Sequence, residues 1–99
     1  MEQSCSIYIL ECADGMLYVG MSSQLERRIE SHILGNVTST KKRLPIRLLW
    51  SREIGDRELT HKMELYLKKW KRDRKMKLAQ GDPYMLYYFD KYLCTVEKL

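Results

Sequence analysis

Ninety-nine residues, 44% of them hydrophobic, suffice for one compact domain with a modest core and leave little room for a second. No run of about 18 apolar residues is present to span a bilayer, and the opening MEQSCSIYIL lacks the basic start and small-residue cleavage site of a secretion signal, so a soluble, cytoplasmic chain is expected. The net charge of +5 is unevenly placed, with −3 over residues 1–40, +9 over 41–77 and −1 over 78–99, a distribution that suits either a phosphate-binding surface or a lysine-rich solvated helix.

Ser6 to Gly20 reads as a β-hairpin: Ser6 to Glu11 and Met16 to Gly20 are apolar, β-branched and aromatic runs split by Ala13-Asp14-Gly15. Register decides what the hairpin presents. A two-residue Asp14-Gly15 turn would put Tyr8 and Tyr18 on opposite faces, because side chains alternate along a strand. A three-residue loop with Gly15 left-handed pairs Leu10 with Tyr18 and Tyr8 with Gly20, and both tyrosines then share a face. The bare Gly20 would leave space beside Tyr8 for a phosphate.

SSQLERRIESHILG carries helix signals: Ser23 and Glu26 in a capping-box spacing, Leu25, Ile29 and Ile33 as an apolar stripe, and Gly35 just past the end. At about 100° per residue, Arg28 and His32 fall together on one flank of the stripe and Arg27 points away. GNVTSTKKRLP reads as a polar loop and IRLLWSREI as a third strand. Asp56 can cap a second helix with the stripe Leu59, Met63, Tyr66, Leu67 and Trp70, continued by a basic stretch with a break near Trp70 to Arg72. Gly81, Asp82 and Pro83 then break the chain before a last apolar-rich helix. Cys5, Cys12 and Cys94 are odd in number, widely spaced and without a CxxC pair, which argues against zinc or a dithiol centre and for reduced thiols.

Ser6-Ile7-Tyr8, followed ten residues after its tyrosine by the tyrosine of Tyr18-Val19-Gly20, resembles the GIY-YIG signature of a nuclease family, with Ser for the first Gly and Val for the second Ile. In that family an arginine follows ten residues past the second tyrosine and a histidine four further on, which fall on Arg28 and His32, and a later helix carries a metal-binding glutamate that ELYLK places at Glu64. The chain is similar, from about Ser6 to Leu86, to the small stand-alone members, sharing LERRIESH, LPIRLLW, GDRE and KKWKRDRK. Many larger relatives have an asparagine in a late motif, and this chain has none beyond Asn36.

The resemblance implies an endonuclease hydrolysing phosphodiester bonds in DNA, in repair or recombination. Glu64 would hold one Mg²⁺ or Mn²⁺, a hard cation that keeps several waters and can be held by a single carboxylate. Arg28 would neutralise the phosphate, Tyr8 and Tyr18 would orient or deprotonate water, and His32 would act as a base or a phosphate contact. Substrate contacts would fall to Gly20, to Lys41, Lys42 and Arg43, and to Lys68, Lys69, Lys71, Arg72, Arg74 and Lys75. The fold implied is α/β of the α+β kind: a three-stranded antiparallel sheet flanked by helices, ββαβα plus C-terminal helices, as a single domain over 1–99 with a catalytic core about 5–80 and a helical extension about 84–96. Taken singly, each residue has a structural reading too: core tyrosines, a snorkelling Arg28, a surface His32, and Glu64 in an i to i+4 pair with Lys68. A nucleic-acid-binding module of the same fold without strong catalysis, and a basic helix meeting an acidic protein partner, are the rival functions.

Overall fold

The computed structural model describes residues 3–98, which run β1 (Cys5–Cys12), β2 (Leu17–Ser22), α1 (Leu25–Ile33), a 3-10 turn (Lys41–Arg43), β3 (Ile46–Gly55), α2 (Arg57–Lys68), α3 (Arg72–Ala79) and α4 (Pro83–Glu97). The strands form one antiparallel sheet in the order β2-β1-β3. The fold is therefore the expected α+β arrangement of a small sheet flanked by helices. β1 is central and buried along nearly its whole length, which its continuous apolar run SIYIL anticipates. Among the described residues no helix is long and apolar enough to cross a membrane, and the thiols of Cys5, Cys12 and Cys94 are free.

The hairpin register is the one with the three-residue loop. Tyr8 pairs with Gly20 and Leu10 with Tyr18, Gly15 sits at φ +84°, and the Cys12 N–H donates to the Met16 carbonyl across the loop. Alternation then sorts the sheet into two faces. Ile7, Ile9, Leu17 and Val19 pack with Met63, Leu67, Leu78, Phe89 and Val96 beneath α2, α3 and α4. Tyr8, Leu10 and Cys12 face Ile29 and Ile46, with Tyr18 and Leu25 at the margin under α1. Each fully buried Leu, Ile or Phe stabilises by about 1.5–3 kcal/mol, so the helical side, with the longer roll, is the main core.

α1 departs from expectation in two ways. Ser23 does not cap it: Gln24 is the cap, with no side-chain bond, and its N–H donates to the Ser22 hydroxyl. Only Ser23 and Gln24 separate β2 from α1, so the chain turns on Ser22 and the capping box has no room to form. The inward line runs from partly buried Leu25 to buried Ile29 and His32, leaving Ile33 half exposed. The helix ends as Gly35 predicts, with the Asn36 N–H on the Ser31 carbonyl and the Gly35 N–H on His32 at φ +81°. Asp56 caps α2 through the Leu59 N–H, and the basic stretch breaks at Lys69 to Lys71 before α3.

Candidate active site

On the α1 face of the sheet the rings of Tyr8 and Tyr18 lie 6.4 Å apart at 29°. Gly20 stands opposite Tyr8, and any Cβ there would overlap the Tyr8 hydroxyl oxygen and approach Cζ to 2.5 Å. This corrects the expectation of a phosphate space beside Gly20: the tyrosine's own ring fills it, and glycine is needed so that the ring can lie flat across β2.

The last turn of α1 brings His32, fully buried, between the two tyrosines, with ring centroids 5.6 Å from Tyr8 and 5.1 Å from Tyr18. His32 Nε2 is 3.0 Å from the Tyr8 hydroxyl and Nδ1 is 2.8 Å from the Thr40 hydroxyl. Both ring nitrogens are thus engaged, and neither is left for a phosphate. The imidazole thus joins the Tyr8 hydroxyl to the Thr40 hydroxyl. Burial, aided by the neighbouring Arg28 charge, pushes the His32 pKa down and keeps the imidazole neutral near pH 7.

Arg28 lies one turn before His32 on the same flank of α1, near enough to Tyr8 and Tyr18 for each to influence its charge. Its own pKa is raised, chiefly by Tyr8, so it stays charged. Burial raises the Tyr8 pKa above its ordinary value, opposed by Arg28, while the charges of Tyr18 and Glu64 add to the rise. Tyr8 is thus a neutral phenol at rest. Arg28 is exposed and lines a polar groove with Ser22, Ser23, Gln24, Arg27 and Ser31. The helical wheel had paired Arg28 with His32, and the fold places that pair against both tyrosines.

Glu64, on α2, is 7% exposed, with His61 Nδ1 at 3.5 Å and Lys68 Nζ at 3.7 Å. Both distances exceed a good hydrogen bond, so the nearly buried carboxylate keeps oxygen lone pairs for a hard cation. That donor set fits a Mg²⁺ or Mn²⁺ held mainly by water, and no cluster of three or more acidic, His or Cys ligands occurs among the described residues. His61 carried no sequence signal beyond its spacing of three from Glu64.

The basic residues divide. Arg43 is ion-paired with Asp14, and its carbonyl accepts from the Ala13 N–H. Arg72 donates Nε–H to the Gly15 carbonyl at 2.8 Å and lies 3.8 Å from Glu11. These two grip the hairpin tip. Lys41, Lys42, Lys69, Lys71 and Arg74 are exposed. Lys75 is half-buried, its pKa lowered by burial and by Lys68. Thr40, fully buried at the start of the basic turn, contacts His32 without any sequence signal, since a lone threonine in a polar loop has no periodicity to reveal it.

The family model of the GIY-YIG catalytic domain matches residues 4–78, which contain all of these groups. The chain is 31% identical over 93 residues to a UPF0213 protein of Streptococcus pneumoniae serotype 4, covering 91% of this chain and 94% of that one. It is 35% identical over 80 residues to a UPF0213 protein of Bacillus cereus, covering 79% and 83%. The solution NMR structure of a UPF0213 protein from Bacillus halodurans is similar at a TM-score of 0.52 and 33% identity, over 83% of this chain and 90% of that chain.

Proposed function

The chain belongs to the GIY-YIG catalytic domain family, a family of nucleases, and from that premise we propose that it is a metal-dependent endonuclease hydrolysing phosphodiester bonds in DNA, with repair or recombination as its setting. The observation that carries this reading is the meeting of Tyr8, Tyr18 and His32 on one sheet face, with Arg28 one turn before His32 on the same helix. Hydrolysis of a phosphodiester needs an oriented water, neutralisation of charge building on the phosphate, and a place for the proton. Arg28 supplies a permanent planar cation at the mouth of the groove. Tyr18, half exposed, and Tyr8, beneath it, orient the attacking water. The water's proton passes to the Tyr8 oxygen as Tyr8 passes its own to Nε2 of the neutral His32, leaving Tyr8 neutral and the imidazole protonated. A Mg²⁺ or Mn²⁺ on Glu64 would add Lewis-acid stabilisation of the developing charge. Lys41, Lys42, Lys68, Lys69, Lys71, Arg74 and Lys75 would follow the nucleic-acid backbone, while Arg43 and Arg72 hold the hairpin.

A panel of duplex, flap, junction and single-stranded DNA and of RNA, each with and without Mg²⁺ or Mn²⁺, tests this. Metal-dependent cleavage should appear and be abolished by Glu64→Ala with the thermal melt nearly unchanged; activity surviving that substitution removes Glu64 from the mechanism. The absence of any Asn beyond Asn36 favours one rival, a binding module of the same fold. It predicts salt-sensitive DNA binding and no cleavage on any member of the panel.

A further inference from the structure

Thr40 is the N-cap residue of the Lys41–Arg43 turn, yet its hydroxyl makes no capping bond. A threonine there ordinarily accepts from a backbone N–H of the turn that follows. Instead the backbone pins the residue, its N–H on the Val37 carbonyl and its carbonyl taking the Arg43 N–H, and the hydroxyl is turned inward to His32 Nδ1 at 2.8 Å. Both residues are fully buried. The groups facing His32 are Tyr8 from β1, Tyr18 from β2, Arg28 from its own helix and Thr40.

We propose that Thr40 is a positioning residue, one that fixes His32 in its Nδ1–H tautomer so that Nε2 is the acceptor for the Tyr8 proton. Tyr8 is a neutral phenol whose hydroxyl lies 3.0 Å from Nε2, and the nearby Arg28 charge opposes a second N–H donor aimed at the phenol oxygen, so the phenol is the donor and Nε2 the acceptor. The imidazole proton then lies on Nδ1 and is donated to the Thr40 hydroxyl oxygen. When Tyr8 transfers its proton, Nε2 becomes protonated and the Nδ1–H bond to Thr40 is retained, so Thr40 serves both states without moving. The proposal rests on the nuclease reading for its consequence in turnover, but the tautomer it assigns does not depend on that reading.

The test records the imidazole ¹⁵N shifts of His32 above pH 7.5 in the wild type and in Thr40→Val and Thr40→Ser. The wild type and Thr40→Ser should show Nδ1–H. Thr40→Val, which keeps the shape but removes the acceptor, should show Nε2–H, now donating to the Tyr8 oxygen. In cleavage assays Thr40→Val should lower kcat about 10- to 100-fold with KM within about twofold, and Thr40→Ser should restore it. A wild-type His32 carrying its proton on Nε2 overturns the proposal without any variant, as does Thr40→Val retaining Nδ1–H. Should the tautomers come out as assigned while no substrate is cut, the tautomer assignment stands and the nuclease reading fails.

Discussion

A Cβ at position 20 would stand 2.5 Å from Cζ of Tyr8 and 2.8 Å from its Cε2, so Gly20→Ala is an overpacking change at a position with no special backbone conformation. The expected cost is about 1–3 kcal/mol in chemical denaturation, together with loss of the Tyr8 to His32 hydrogen bond as the ring is pushed off β2. The sequence left two registers open, of which only the three-residue loop makes Tyr8 and Gly20 partners, and it could not say whether the gap at Gly20 held substrate or protein. His32 makes a second prediction. Its folded pKa lies below the ordinary value of about 6.5 because burial and then Arg28 oppose its charged form, so the unfolded chain binds more protons once pH drops through that value. Stability should therefore be fully present above about pH 6.5 and should fall as pH is lowered from there toward the folded pKa. Denaturant midpoints at pH 8 and pH 5 should differ more in the wild type than in His32→Asn, and an equal difference would exclude His32 as the source.

At the scale of elements, the hairpin tip is held from outside itself. Asp14 pairs with Arg43, and Arg72 bonds the Gly15 carbonyl, so the basic turn and the start of α3 are both anchored on the loop between β1 and β2. Half-exposed pairs of this kind contribute about 0–1 kcal/mol each, and their main effect is to set where the cationic turn stands. None of these contacts was legible in the sequence, because Asp14 and Arg43 lie 29 residues apart and nothing local joins them. The local signals fared better where one residue decides the outcome: Gly15, Gly35 and Asp56 all terminate or start elements as their chemistry demands. Ser23 failed for a geometric reason, the short link from β2 to α1. Asp56→Ala should lower stability by about 0.5–2 kcal/mol through loss of the bond to the Leu59 N–H. Glu64 lies about two turns further along α2, so cleavage per folded molecule at low temperature should be unchanged, and a large fall in turnover would show that the cap positions the carboxylate.

Across the whole molecule, the sheet separates two tasks. One face carries the main hydrophobic core under α2, α3 and α4, and the other carries the polar cluster under α1. The excess of positive charge over residues 41–77 spans both the basic turn and α3. Charge density in the sequence marked that whole segment for nucleic acid, and the fold divides it into cations that grip the hairpin and cations that face water. The division can be read from salt dependence. Each phosphate neutralised contributes about −0.9 to the slope of log affinity against log salt on duplex DNA. On the nuclease reading, Lys42→Ala should flatten that slope by about 0.9 in fluorescence anisotropy titrations and leave the thermal melt alone. Arg43→Ala should do the reverse, since its charge is already met by Asp14: the melt should fall and the slope should change by well under 0.9. If Arg43→Ala flattens the slope as much as Lys42→Ala does, the ion pair with Asp14 opens on binding and Arg43 belongs to the nucleic-acid surface after all.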